Sequence, residues 1–164
     1  MPRIEHEPRQ LIVGVILMLV TGTIQTFGVV TLEELVDRVR ERRTREMTRK
    51  RMIVVLSSIM FYLFALHILE MSLWAAFFEL VAGMPSFSTA LYESALAFTT
   101  MDIAHLPVGW KFLSAAEGIT GLLMFAWSTG VLFNHTAWVT EARRQYRRRH
   151  LVGSAETAAR PTVS

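Results

Sequence analysis

Residues 83–110 read GMPSFSTALYESALAFTTMDIAHLPVGW, and this stretch decides the fold. Gly83 and Pro85 close the apolar run that precedes them. Ser88 to Thr100 is helical in composition, but at about 1.5 Å per residue such a helix covers only about 20 Å, short of a bilayer core of about 30 Å. The sequence from there to Trp110 is irregular. A short helix and an irregular segment between two long apolar runs form a re-entrant pattern. Non-helical backbone at membrane depth is tolerated only when buried in protein or lining a water-filled cavity, so a pore or cavity is the physical expectation.

Working outward, Met52 to about Val81 is apolar except for His67, Glu70 and Glu79, and Phe112 to about Val139 is a further span. Leu11 to Val30 makes a third, about 30 Å long as a helix. It is longer than the core of a secretory signal, about 7–15 residues, and lacks a clear small-x-small cleavage site, so it reads as retained. The 164-residue chain is 52% hydrophobic, with a mean hydropathy of +0.35. Those values fit an integral membrane protein better than a soluble domain.

After the first span, Thr31 and Glu34 have the spacing of a capping box and predict a new helix over 31–51. Leu32, Leu35, Val36 and Val39 place an apolar stripe on it, and Arg38 to Arg51 a basic remainder, as expected of a helix lying along the inner interface. Pairs such as Glu34 with Arg38 and Glu41 with Arg45 have i,i+4 spacing, so helix stabilisation competes with lipid sensing as an account of this charge. The basic clusters at 38–51 and 143–149 both belong on the cytoplasmic side, beside anionic lipids. Two crossings between them satisfy this and put the N-terminus outside. The pI of about 9.8 is accounted for in the same way, without nucleic acid. The absence of cysteine excludes a disulfide framework and a cysteine zinc site.

The expected organisation is a short extracytoplasmic N-terminus (1–10), a first transmembrane helix (11–30), an amphipathic interfacial helix (31–51), a pore domain (52–139), and a basic cytoplasmic segment with a disordered tail (140–164). The expected location is the bacterial inner membrane.

The run ALYESALAFTT at 90–100 resembles the pore helix and paired threonines of the pore-loop potassium-channel superfamily, particularly its small bacterial members. The strings EGITGLL at 117–123 and WST at 127–129 resemble the inner helix of that family. The resemblance covers somewhat over half the chain. It implies an all-α membrane protein with three transmembrane helices, a re-entrant pore helix and filter loop between the second and third, and a homotetramer around a central pore. It also implies a filter at Thr99, Thr100, Met101, Asp102, Ile103, Ala104 and His105.

The sequence departs from the family at that filter. A potassium filter reads Thr-Val-Gly-Tyr-Gly-Asp, whereas here Met101, Asp102, Ile103, Ala104 and His105 follow Thr100. The missing glycines are the residues that adopt left-handed backbone freely; other L-residues lose about 1–2 kcal/mol there. A carbonyl ladder of the potassium type is therefore not expected. A ring of Asp102 carboxylates would instead favour cations through side-chain charge, passing sodium and potassium alike or a hard divalent ion such as calcium. The competing account of Asp102 is a local turn former. His105 would stand towards the outer mouth, where it titrates near neutral pH, binds a transition metal together with Asp102, or is an ordinary loop histidine.

His67, Glu70, Glu93 and Glu117 are intramembrane polar groups, either functional or bracing the pore helix. Gly118 and Gly121 permit close packing or bending during gating. Asn134 and His135, near the inner end, line a gate or face headgroups. The expected function is cation conduction without strict potassium selectivity, permeant cations being the only ligands and no cofactor being expected. A non-conducting relative acting as a scaffold or a metal or pH sensor is the alternative. No catalytic spacing such as H-E-x-x-H is present, so no enzymatic activity is expected.

Overall fold

A computed structural model describes residues 7–42, 48–101, 105–106 and 110–158. Among these residues the chain is all helical: α1 (Glu7–Arg42), α2 (Arg49–Leu80), α3 (Phe87–Phe98) and α4 (Lys111–Ala158). Three stretches, Pro8–Arg38, Arg49–Leu80 and Lys111–Arg148, are long and apolar enough to cross a membrane.

Two element boundaries differ from the expectation. The break at Thr31 does not occur, and α1 continues to Arg42. Thr31 stands mid-helix, where the amides it would have capped already have carbonyl partners one turn back; its hydroxyl donates to the Phe27 carbonyl at 2.8 Å. Glu34 turns forward to Arg38 at 3.5 Å instead of back to an orphan amide. The segment 31–51 is therefore the end of α1 together with the start of α2, with residues 43–47 outside the described set. The second difference lies at the C-terminus. The span expected to end near Val139, ahead of a basic segment and tail, continues as one helix to Ala158, through a stretch rich in Arg and free of proline. Residues 159–164 are not among those described.

Contacts along the helices give their directions. Gln10 Oε1 accepts from the Phe112 amide at 3.2 Å, and Gln25 Nε2 donates to Ser128 Oγ at 2.9 Å, so α1 and α4 run parallel. On α2 the order is reversed. Trp74 Nε1 donates to Thr21 Oγ1 at 3.0 Å, and Tyr62 donates its hydroxyl to the Gly28 carbonyl at 2.9 Å. The helices α1, α2 and α4 thus alternate in direction along the chain, as three successive crossings require. Among the described residues α3 packs on α2 and α4 but not on α1.

The core has two characters. Around Trp74, Phe78, Ala90, Ala97, Leu106 and Leu113 it joins all four helices and the segment that follows α3. Towards the basic ends it is simple aliphatic packing of Val29, Leu32, Ile59, Leu63 and Val131. Large apolar side chains also cover the outside, among them Phe27, Phe61, Leu80 and Phe133, each more than 70% exposed. That is the pattern of a bundle whose outer surface meets lipid rather than water.

Candidate functional site

α3 starts on the Ser86 hydroxyl, which accepts from the Thr89 amide at 3.2 Å in an ordinary N-cap. Its far end is less ordinary. The Met101 amide donates to the Leu96 carbonyl at 2.9 Å and the Thr100 amide to Ala97 at 2.9 Å, the paired bonds of a Schellman motif. That motif needs a left-handed residue, usually glycine. Here it is Thr100, with φ of +58°. A β-branched side chain in this conformation is a true outlier, and such strain persists only where surrounding structure enforces it.

α4 supplies the enforcement. A Cβ added to Gly121 would strike the Phe98 carbonyl oxygen and lie 2.8 Å from its carbonyl carbon, and one added to Gly118 would lie 3.2 Å from the Ala97 carbonyl oxygen. Both expected gating glycines are therefore places where the α3 backbone rests on α4. Gly121 is ten residues beyond Lys111, so α3 ends about 15 Å along α4. The chain then returns. Leu106 is buried beside Leu113, and Trp110 packs edge-on to Phe77 with Arg9 5.9 Å above its ring.

The polar residues expected in the membrane converge on this helix. Ser94 Oγ lies 2.9 Å from the Met71 carbonyl on α2 and 2.5 Å from Glu117 Oε1 on α4. One hydroxyl thereby ties three helices, although its single hydrogen serves only one acceptor at a time. His67 Nδ1 meets Glu70 Oε2 at 2.9 Å, while the imidazole packs against Phe98 and Phe125. The second oxygens of Glu70 and Glu117, like Gln25 Oε1 on α1, are buried without a hydrogen-bond partner among the described residues. Such atoms are costly in an apolar interior.

Glu93 faces the returning chain. Its Oε2 accepts from the His105 amide at 2.8 Å and lies 3.2 Å from His105 Nδ1. The backbone is thus anchored at Met101 by the Schellman bonds and at His105 by Glu93. The expected filter residues Asp102, Ile103 and Ala104, lying between those anchors, fall outside the described residues. Thr99 caps α3 with its hydroxyl 2.6 Å from the Ala95 carbonyl, and Met101 is 79% exposed. Met101, Thr100 and Ala97 line an open groove of about 480 Å³ with Ser114, Gly118 and Leu122 of α4. Asn134 stands apart from all of this, near the middle of α4, where it lines a cleft with Glu33 and Asp37 of α1.

Among the described residues no three His, Cys, Asp or Glu side chains are placed to hold a metal ion. Sequence reasoning missed the polar ties of α1, namely Thr21 to Trp74 and Gln25 to Ser128. Fully buried Gln25 within an otherwise apolar run was the available signal. No protein-family model, curated protein or solved structure matches this chain.

Proposed function

We propose that this chain is one subunit of a tetrameric pore-loop cation channel of the potassium-channel-like type, with α3 as its re-entrant pore helix and Thr99 to His105 as its filter. The observation that carries this reading is the position of the α3 C-terminus, about 15 Å along α4 and pressed against Gly118 and Gly121. A helix C-terminus carries a partial negative charge of about half an electron, and ending it inside a bundle is stabilised by a cation or water nearby. The anchors at Met101 and His105 suit a segment that must hold its backbone in one shape. One such loop encloses no pore, so closed rotational symmetry is required, fourfold by analogy. Exposed Ile119 and Leu122 and the open groove beside Met101 give the next subunit an apolar surface to pack on.

In this reading the bundle sits in the bacterial inner membrane with the N-terminus outside and the arginine-rich ends of α1, α2 and α4 inside, against anionic lipid. Asp102 selects cations by charge, and sodium, potassium or a divalent ion permeates. No metal cofactor takes part. Ion-replacement flux into liposomes holding the purified protein tests this. Cation flux whose selectivity or divalent block changes in Asp102→Asn is the expected result. Absence of flux across pH and divalent conditions would overturn it. The Glu93–His105 contact favours one second reading, a non-conducting relative that senses metal or pH at its outer surface, because the His105 side chain is 74% exposed while Glu93 holds its amide.

A further inference from the structure

Where α2, α3 and α4 meet, three oxygens stand in a row. Ser94 Oγ lies between the Met71 carbonyl oxygen at 2.9 Å and Glu117 Oε1 at 2.5 Å, and each contact needs a hydrogen. A hydroxyl carries one hydrogen and a carbonyl none, so Ser94 alone does not supply both. The Met71 carbonyl only accepts, which assigns the Ser94 hydrogen to it. The second hydrogen then comes from Glu117, as a carboxylic acid whose Oε1–H donates to Ser94 Oγ.

The surroundings lead to the same assignment. Glu117 is fully buried, and its Oε2 has no hydrogen-bond partner among the described residues. No ion pair reaches it there either: His67 is engaged with Glu70, and His105 with Glu93. The loop segments 102–104 and 107–109, DIA and PVG, contain no Lys, Arg or His. The carbonyls that end α3 rest on the adjoining Gly118 and Gly121, and their partial negative charge repels an anion beside them. An ionised carboxylate here would hold its charge in an apolar interior with one oxygen unanswered. In the neutral acid that same oxygen is an uncharged carbonyl, which costs far less to bury.

We infer that Glu117 is a proton-binding site: the native fold holds a proton on its carboxyl, and the relay from Glu117 Oε1 to Ser94 Oγ to the Met71 carbonyl latches α3 onto both α2 and α4. The bound proton is thus part of what fixes the short helix against its neighbours. The site belongs to the bundle itself and does not need it to conduct.

The test is the infrared absorption of the purified full-length protein in neutral buffer. A protonated carboxyl shows a carbonyl stretch well separated from the paired bands of a carboxylate, and the difference between the original protein and Glu117→Gln isolates this residue. Glutamine has the shape of the neutral acid and an N–H to donate to Ser94, so the variant should fold while losing an acid band worth one carboxyl per chain. Ser94→Ala, read in the same way, should keep that band but move it, because the acid loses the oxygen to which it donates. No acid band in the original protein, or one of equal size in Glu117→Gln, would overturn the proposal. A band left unmoved by Ser94→Ala would overturn it too, even if Glu117→Gln failed to fold. Because the readout is the carboxyl itself, a protein that passes no ions leaves the inference standing.

Discussion

The two ends of the bundle are built differently. Around α3, helices meet backbone to backbone at Gly118 and Gly121, buried carboxyls tie side chains together, and Thr100 is held in a left-handed conformation. Towards the basic ends, Val29, Leu32, Ile59, Leu63 and Val131 pack as plain aliphatic side chains, and a glycine there meets only a flexible neighbour. Packing of the second kind specifies a shape loosely and tolerates exchange. Packing of the first kind fixes where a single carbonyl stands. Such positioning is expected where backbone atoms face a pore and is unnecessary where a bundle only needs to hold together.

The sharpest way to break this contrast is Gly121→Val. Its side chain would strike the rigid Phe98 carbonyl, so a loss of about 3 kcal/mol or more is expected, read as loss of folded protein on thermal unfolding in detergent. A variant as stable as the original would refute the close approach. Next in size is Thr100→Gly, in the stabilising direction. If only strain is relieved, stability should rise by about 1–2 kcal/mol; under the proposed channel reading, cation flux or its selectivity should change as well, because the turn entering Met101 loses its imposed geometry. No gain in stability would mean that the left-handed turn costs nothing here.

Ser94→Ala should cost about 1 kcal/mol, in the range of interhelical hydrogen bonds within membranes, by removing the hydroxyl shared among α2, α3 and α4. Gly28→Ala, in the other half, should cost less than about 1 kcal/mol. The added Cβ would lie 2.6 Å from Leu66 Cδ2, but that atom ends a side chain able to change rotamer. Equal losses from alanine at Gly28 and Gly121 would erase the distinction between the two halves. Gly130→Ala, facing open space, should be neutral or stabilise by up to about 1 kcal/mol through helix propensity.

Much of this arrangement was legible in the sequence, and the failures have physical causes. Apolar runs of span length were readable because a lipid-facing helix must be apolar along nearly its whole length. Gly83 and Pro85 announced the break before α3 because helix breaks depend on a few neighbouring residues, and the helix starts at Phe87, one residue before the expected Ser88. The capping box at Thr31 misled because the same side chains serve equally well in mid-helix, where Thr31 bonds back to Phe27. The pairing of His67 with Glu70 follows from i,i+3 spacing on one helix. Ser94 with Glu117, Glu93 with His105 and Gln25 with Ser128 do not, because each joins residues far apart in the chain.

The sequence by itself determined three helices of spanning length, a fourth too short to span, and the confinement of positive charge to particular segments. These follow from composition and local periodicity, which act over a few turns of chain. Only the tertiary structure decided that α1 lies parallel to α4, that Gly121 receives the Phe98 carbonyl, that Thr100 takes the left-handed turn, and that Glu33, Asp37 and His135 share one cleft. Each depends on which helix faces run against one another. That choice is made by packing between segments as much as 103 residues apart, as Gln25 and Ser128 are, and local pattern carries no record of it.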